Sequence, residues 1–242
     1  MVFSYNLWLI IALVILFLTI ISSILVILYY QKVLESKKGF KREKFKALSK
    51  KIRPGAVVFV GDSHTENFLV HDQFPSVNLV NRGISGDTAE ELINRIETTV
   101  IDLEPSKVFL MIGTNDLYAK DSVEKIIKNI KVSLEKISKS LPDCLVYFWS
   151  IPPVADTRKL YNAPLSFFFR LVLRLTMDRN KKISEINNQL RYMAIKAKFN
   201  YIDIENILSD RDGFLRPQYT IEGLHLNVKA YLKIASRLNR YI

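Results

Sequence analysis

The feature that most constrains this chain is a stretch of 24 residues, Leu7 to Tyr30, without a single charged side chain. About 20 consecutive apolar residues in a helix span the hydrocarbon core of a bilayer. Trp8 at one end and Tyr29–Tyr30 at the other suit the aromatic positions at a membrane interface. The run is apolar all round, which predicts a lipid-facing helix rather than an amphipathic one. A cleaved signal peptide is the competing reading. It fits poorly, because no basic segment precedes the run, the run is too long, and no A-x-A-like site follows.

The charge follows from that arrangement. Residues 31–53 hold ten Lys or Arg and two Glu, a net +8 out of +11 for the 242-residue chain. The remaining 189 residues are close to balanced, so the basic character argues for no nucleic-acid partner. The positive-inside rule places such a neck, and everything after it, on the cytoplasmic side. The expected organisation is a transmembrane anchor at 1–30, a basic juxtamembrane linker at 31–53 and one large folded domain at 54–242. The neck itself reads as a topology signal and solvated linker, with adhesion to anionic headgroups as the alternative. One cysteine, Cys144, excludes an intramolecular disulfide framework and multi-cysteine metal sites.

From Pro54 onward, short apolar runs alternate with helical patterns. The runs predict strands at Val57–Val60, Val77–Asn81, Val108–Ile112, Leu145–Ser150 and Tyr201–Ile204. Helical spacing of apolar residues covers Thr88–Asp102, Ser122–Leu141, Lys182–Lys198 and Val228–Tyr241. Such alternation predicts a parallel sheet covered by helices on both faces, with ligands at the C-terminal strand ends. Three polar segments follow strands and so fall on that edge: Gly61-Asp62-Ser63-His64, Asn81 to Asp87, and Gly113-Thr114-Asn115-Asp116.

These segments carry the parts of acyl-transfer chemistry. Ser63, just past a strand, is a candidate nucleophile; alone it reads equally as a helix N-cap. His225, in Glu222-Gly223-Leu224-His225, is a candidate general base, with Glu222 three residues away to orient it. Gly86 and Asn115 are candidate oxyanion donors, one through its backbone N–H and one through its side-chain amide. Asp62 and Asp116 read as residues that stiffen their turns. His64 reads as the start of a helix or as a pocket wall. The segment Ile151–Asn180, with Tyr161, Phe167–Phe169 and Arg170, Arg174 and Arg179, is a candidate lid, acyl-binding wall or ordinary packed helix. No phosphate-loop, dinucleotide or zinc-protease motif is present.

The four blocks Val60–Ser63, Asn81–Thr88, Gly113–Asp116 and Glu222–His225, in this order, resemble the SGNH hydrolases, also called GDSL-type esterases and lipases. The resemblance covers about residues 55–242. It implies a flavodoxin-like three-layer α/β/α fold with a five-stranded parallel sheet. It further implies hydrolysis of esters or thioesters without metal or cofactor, with Ser63, His225 and Glu222 as the catalytic set. The oxyanion hole would be the N–H groups of Ser63 and Gly86 with the Asn115 side chain. The substrate implied is a small-molecule or lipid ester, either a lipid or an acylated carbohydrate. One departure stands out: the family's last block carries Asp where this chain has Glu222. If that longer side chain misplaced the carboxylate, the alternatives would be a Ser–His dyad or a membrane-tethered binding domain without turnover.

Overall fold

The computed structural model describes every residue except 1, 157–158, 160–166 and 197–198; the side chains of 2–6 and 167–176 are likewise not described. The chain divides into two compact units, residues 1–44 and Phe45–Ile242. Helix α1 (Val2–Ser49) contains the apolar run. It is long and apolar enough to cross a membrane, and its side chains from Leu7 through Tyr30 are all exposed in the chain.

The second unit is built on five parallel strands: β1 (Val57–Gly61), β2 (Leu79–Gly83), β3 (Lys107–Met111), β4 (Leu145–Trp149) and β5 (Asn200–Ile202). They lie in the order β2-β1-β3-β4-β5, the flavodoxin-like order. Alternate residues of each strand enter opposite cores, which is why the strands read as continuous apolar runs rather than alternating ones. Val58, Val60, Val108, Leu110, Val146 and Phe148 join one core. There they meet α4 (Ala89–Thr99), α6 (Val123–Ser140) and the described part of α7 (Phe167–Lys196). Phe59, Phe109, Tyr147 and Trp149 join the other, against α9 (Val228–Leu238). On that face Phe59, Phe109 and Tyr147 stack in a row, with ring centroids 4.8 Å apart at each step. The fold is therefore three-layered α/β/α, as the alternation of apolar runs and helical patterns predicts.

Some boundaries move. The second strand is Leu79–Gly83, not Val77–Asn81, because Asn81, Arg82 and Gly83 pair with Phe59, Val60 and Gly61. The helix expected over Thr88–Asp102 ends at Thr99 and gives way to a 3-10 turn at Ile101–Leu103, closed by Glu104 at φ 46°. The last helix stops at Leu238 rather than Tyr241. Lys198 lies outside the described residues, as do residues 157–158 and 160–166 of the candidate lid, Tyr161 among them; the side chains of Phe167–Phe169, Arg170 and Arg174 are likewise not described. Of the candidate lid, the described part is buried Ile151 to Asp156, exposed Lys159 and the helix from Phe167, with its side chains from Met177 onward.

Candidate active site

The first three strands each release their chain into a short polar segment at the C-terminal edge of the sheet. β1 runs through Gly61 and Asp62 into α2 (Ser63–Glu66). Asp62 caps this turn: its Oδ1 accepts the His64 N–H at 2.9 Å. β2 leads to the loop of Ser85, Gly86 and Asp87, and β3 leads through Gly113 to α5 (Thr114–Tyr118). Gly86 sits at φ 81°, a left-handed conformation that glycine adopts without strain. Close packing holds the first two loops together. A Cβ added to Gly83 would lie 2.2 Å from the Glu66 backbone N, so only glycine fits there.

His225 comes from the other end of the chain and meets Ser63. Its Nε2 lies 3.2 Å from Ser63 Oγ, across 162 residues of sequence. Its Nδ1 lies 2.5 Å from Glu222 Oε1, and its backbone N–H donates to the same oxygen at 3.0 Å. One carboxylate oxygen thus fixes both the ring and the backbone of the histidine. The longer stem of Glu222 reaches the imidazole, so the departure from Asp does not leave His225 without a carboxylate. The loop is pinned from below, where Gly223 N–H donates to Thr220 Oγ1 at 2.8 Å and Gly223 O accepts from Ala155 N.

Asn115 and Gly86 come together through Asp87. One N–H of the Asn115 amide donates to the Asp87 carbonyl at 2.9 Å, which orients the side chain and leaves its second N–H for a ligand. The Ile84 N–H donates to Gly61 O at 3.0 Å and couples this loop to the one that carries Ser63.

Beneath the loops lies a buried polar cluster that periodicity did not reveal. Arg95 on α4 is 4 % exposed and Asp87 is fully buried; Arg95 Nε meets Asp87 Oδ2 at 2.6 Å. The same guanidinium donates to Arg82 O and Gly61 O, each at 3.0 Å. One side chain therefore ties the ends of β1 and β2 to the loop of Gly86. Asp116 accepts the Ala89 N–H at 3.0 Å and so binds α5 to the first turn of α4. The only advance sign of Arg95 was a cation inside an otherwise apolar helical stripe.

Burial sets the protonation of this cluster. Asp62 is fully buried near the negative charges of Asp116 and Asp87, and desolvation foremost pushes its carboxyl up to about 7. Its Oδ2 has no hydrogen-bond partner among the described residues. Burial raises Asp116 to about 6 against the pull of the Ala89 N–H. His64 is buried, and desolvation with the neighbouring His225 lowers it to about 3, so it is a neutral ring. Its carbonyl accepts the Tyr231 hydroxyl at 2.9 Å, which fastens α9 to the turn of Ser63. Cys144 is remote from this edge; burial pushes its thiol up to about 11. Among the described residues no group of three or more His, Cys, Asp or Glu is placed to hold a metal ion.

The arrangement has the parts of nucleophilic acyl transfer: a hydroxyl, an imidazole within reach, a carboxylate behind it and amide donors on adjoining loops. Known proteins carry the same framework. A protein from Streptococcus pneumonia named for platelet activating factor superposes with a TM-score of 0.77 at 23% identity, covering 90% of this chain and 98% of its own. A GDSL-like lipase from Bacteroides thetaiotaomicron VPI-5482 superposes with a TM-score of 0.68 at 22% identity, covering 83% and 96%. These likenesses show a shared fold. In sequence, the chain is 28% identical over 164 residues to an N-acylneuraminate cytidylyltransferase of Escherichia coli O18:K1:H7 (strain RS218 / NMEC), over 67% of this chain. It spans about a third of that relative's length (34%). The sequence profile of the GDSL-like Lipase/Acylhydrolase family matches residues 59–233, from the core of β1 into the last helix. With more than two thirds of the chain inside that match, the chain belongs to the GDSL-like lipase/acylhydrolase family.

Proposed function

We propose that this chain is a membrane-anchored serine hydrolase of carboxylic or thio esters, acting on a lipid or an acylated carbohydrate. The observation that carries the reading is the continuous line Ser63 Oγ to His225 Nε2 to His225 Nδ1 to Glu222 Oε1, at 3.2 and 2.5 Å. In this reading Ser63 Oγ attacks the acyl carbon while His225 Nε2 takes its proton. The tetrahedral oxyanion is held by the N–H groups of Ser63 and Gly86 and the second N–H of the Asn115 amide. His225 returns the proton to the leaving alcohol or thiol, and Ser63 is left acylated. A water then gives a proton to His225 and attacks the acyl carbon, and His225 returns that proton to Ser63 Oγ as the acyl–oxygen bond breaks and the acid leaves. Glu222 holds the imidazole in one tautomer and balances the charge it acquires.

Leu7 to Tyr30 would serve as the anchor, and the net +8 of residues 31–53 would hold the catalytic unit on the cytoplasmic side. Protease accessibility of the hydrolase unit in sealed vesicles of each orientation tests that side. The chemical test is hydrolysis of short- and long-chain 4-nitrophenyl esters by the full-length chain in detergent, beside Ser63→Ala. Turnover and fluorophosphonate labelling that both vanish with Ser63 are expected. The chain-length profile separates acetyl esters from lipids. A Ser63 that neither labels nor turns over any ester would overturn the reading in favour of a tethered binding domain.

A further inference from the structure

We infer that Arg179, stacked on Tyr118, is a recognition point for an anionic group carried by the ester substrate, a carboxylate or a phosphate. This deepens the hydrolase reading and rests on it. The Arg179 guanidinium lies 3.9 Å from the centre of the Tyr118 ring, and its Nη1 donates to the Tyr118 hydroxyl at 3.0 Å. Arg179 meets no carboxylate among the described residues, and its other guanidinium N–H groups have no partner there. The side chain is half-buried and Tyr118 is 43% exposed, so the pair is open to solvent.

Its place in the fold gives the pair meaning. Tyr118 is the last residue of α5, the short helix that presents Asn115. Arg179 is held in register by its neighbour Asn180, whose side chain accepts from Val154 N at 2.8 Å and donates to Val154 O at 2.9 Å. The next residue, Ala155, donates its N–H to Gly223 O at 2.8 Å, between Glu222 and His225. The Arg179–Tyr118 contact thus joins α5 to α7, which Val154 and Ala155 link in turn to the loop of the base. Glu222 is close enough to Tyr118 to add to the upward push that burial gives its hydroxyl, against the opposing pull of Arg179. A cation fixed at this rim acts on whatever the substrate places beside its scissile bond.

The chemistry suits an oxyanion. A guanidinium is a planar fork of five donors, matched to carboxylate and phosphate oxygens. The ring lies under the guanidinium and one donor goes to the tyrosine oxygen, while its other N–H groups have no partner among the described residues. Such a group loses less rotamer freedom on binding than a lysine would. A surface stack that merely closes the gap between α5 and α7 would leave selectivity for substrate charge untouched.

The test is the ratio of kcat/KM for an anionic ester over its neutral partner, with the full-length chain in a neutral detergent. Three pairs distinguish the sources of the anion. Mono-4-nitrophenyl glutarate against 4-nitrophenyl valerate puts a carboxylate on the acyl side. 4-Acetoxybenzoate against its methyl ester puts one on the alcohol side. Lysophosphatidate against monoacylglycerol supplies a phosphate. Arg179→Gln should lower the ratio about tenfold or more in at least one pair, and Arg179→Lys should fall between the two. Raising the salt should lower the ratio of the parent chain more than that of Arg179→Gln. Because the readout is a ratio, general losses of folding or turnover cancel. Should Arg179→Gln not fold, Arg179→Lys decides alone, by whether its ratio falls more than about twofold below the parent's in any pair. Ratios within about twofold of the parent in all three pairs, with Ser63-dependent turnover intact, would overturn the inference. Absence of Ser63-dependent turnover on every ester would overturn the hydrolase reading instead, and the inference with it.

Discussion

Replacing Asp62 by asparagine should change how stability depends on pH, and the size of the change follows from its surroundings. Asp62 is fully buried, one oxygen bonded to the His64 N–H and the other without a partner among the described residues. Its carboxyl is raised from 3.8 to about 7. Below pH about 4 it is protonated in the folded and the unfolded chain alike. Between there and pH 7 the unfolded chain gives up the proton while the folded chain keeps it. The folded state then binds more protons, and stability falls as pH rises. Above 7 the loss is complete. The rise from 3.8 to about 7 corresponds to roughly 4 kcal/mol. For a unit of some 200 residues that is roughly 8–16 °C in melting temperature. The amide of the Asp62→Asn variant cannot ionise and keeps the acceptor for His64. Its amide N–H stands where the neutral acid of the parent holds its own unpartnered O–H on Oδ2, so the two chains carry a similar unpaired donor at low pH. The variant should therefore melt close to the parent at pH 4. The difference should swing in its favour by roughly 8–16 °C on going to pH 8. The assay is a melting curve at each pH, followed through the buried Trp149. Asp116, raised in the same sense by its own burial, is present in both chains, so that part of its contribution drops out of the difference. Curves that stay parallel to within about 2 °C would refute the argument that burial holds Asp62 neutral.

Other outcomes follow from the hydrogen bonds of the site. Asn115→Ala should lower kcat by about 10²–10³ with little change in KM, and a fall below about fivefold in steady-state kinetics counts against an oxyanion role. Glu222→Ala should cost about 10³ in kcat, and Glu222→Asp, one methylene short of the 2.5 Å contact, about tenfold; an Asp variant as active as the parent would show that this reach is immaterial. Arg95→Met should cost about 3–5 kcal/mol by taking the guanidinium from a buried, charged Asp87, and adding Asp87→Asn should restore part of it. A double variant no more stable than the single one in chemical denaturation would show that charge pairing is not what Arg95 supplies.

The sheet was legible because both its faces are buried, so each strand reads as an unbroken apolar run. β2 was misplaced by two residues because its last three, Asn81, Arg82 and Gly83, look like loop. Asn81 is polar for a reason invisible in sequence: its amide donates to the carbonyls of Thr65 and Phe68 while its oxygen accepts from Gly83. The residues proposed for chemistry were legible because each sits just past a strand or just before the last helix, where the fold gathers loops. Their support was not. Arg95 reads like any helix cation, and only the packing of α4 over Gly61 shows that its charge points inward. Arg179 and Tyr118 are 61 residues apart, and no local pattern links them.

The distance along the chain between Ser63 and His225 has a consequence for timing. The apolar helix and the serine leave the ribosome early; the histidine follows 162 residues later. At about 5–20 residues per second that interval is roughly 8–30 s. The bond from Tyr231 to the His64 carbonyl forms later still. Under the anchored-hydrolase proposal, a chain held by its first helix waits, the proposed nucleophile already made, for its last helix to arrive. On the same proposal, any break in synthesis before that point leaves an anchored but inert product.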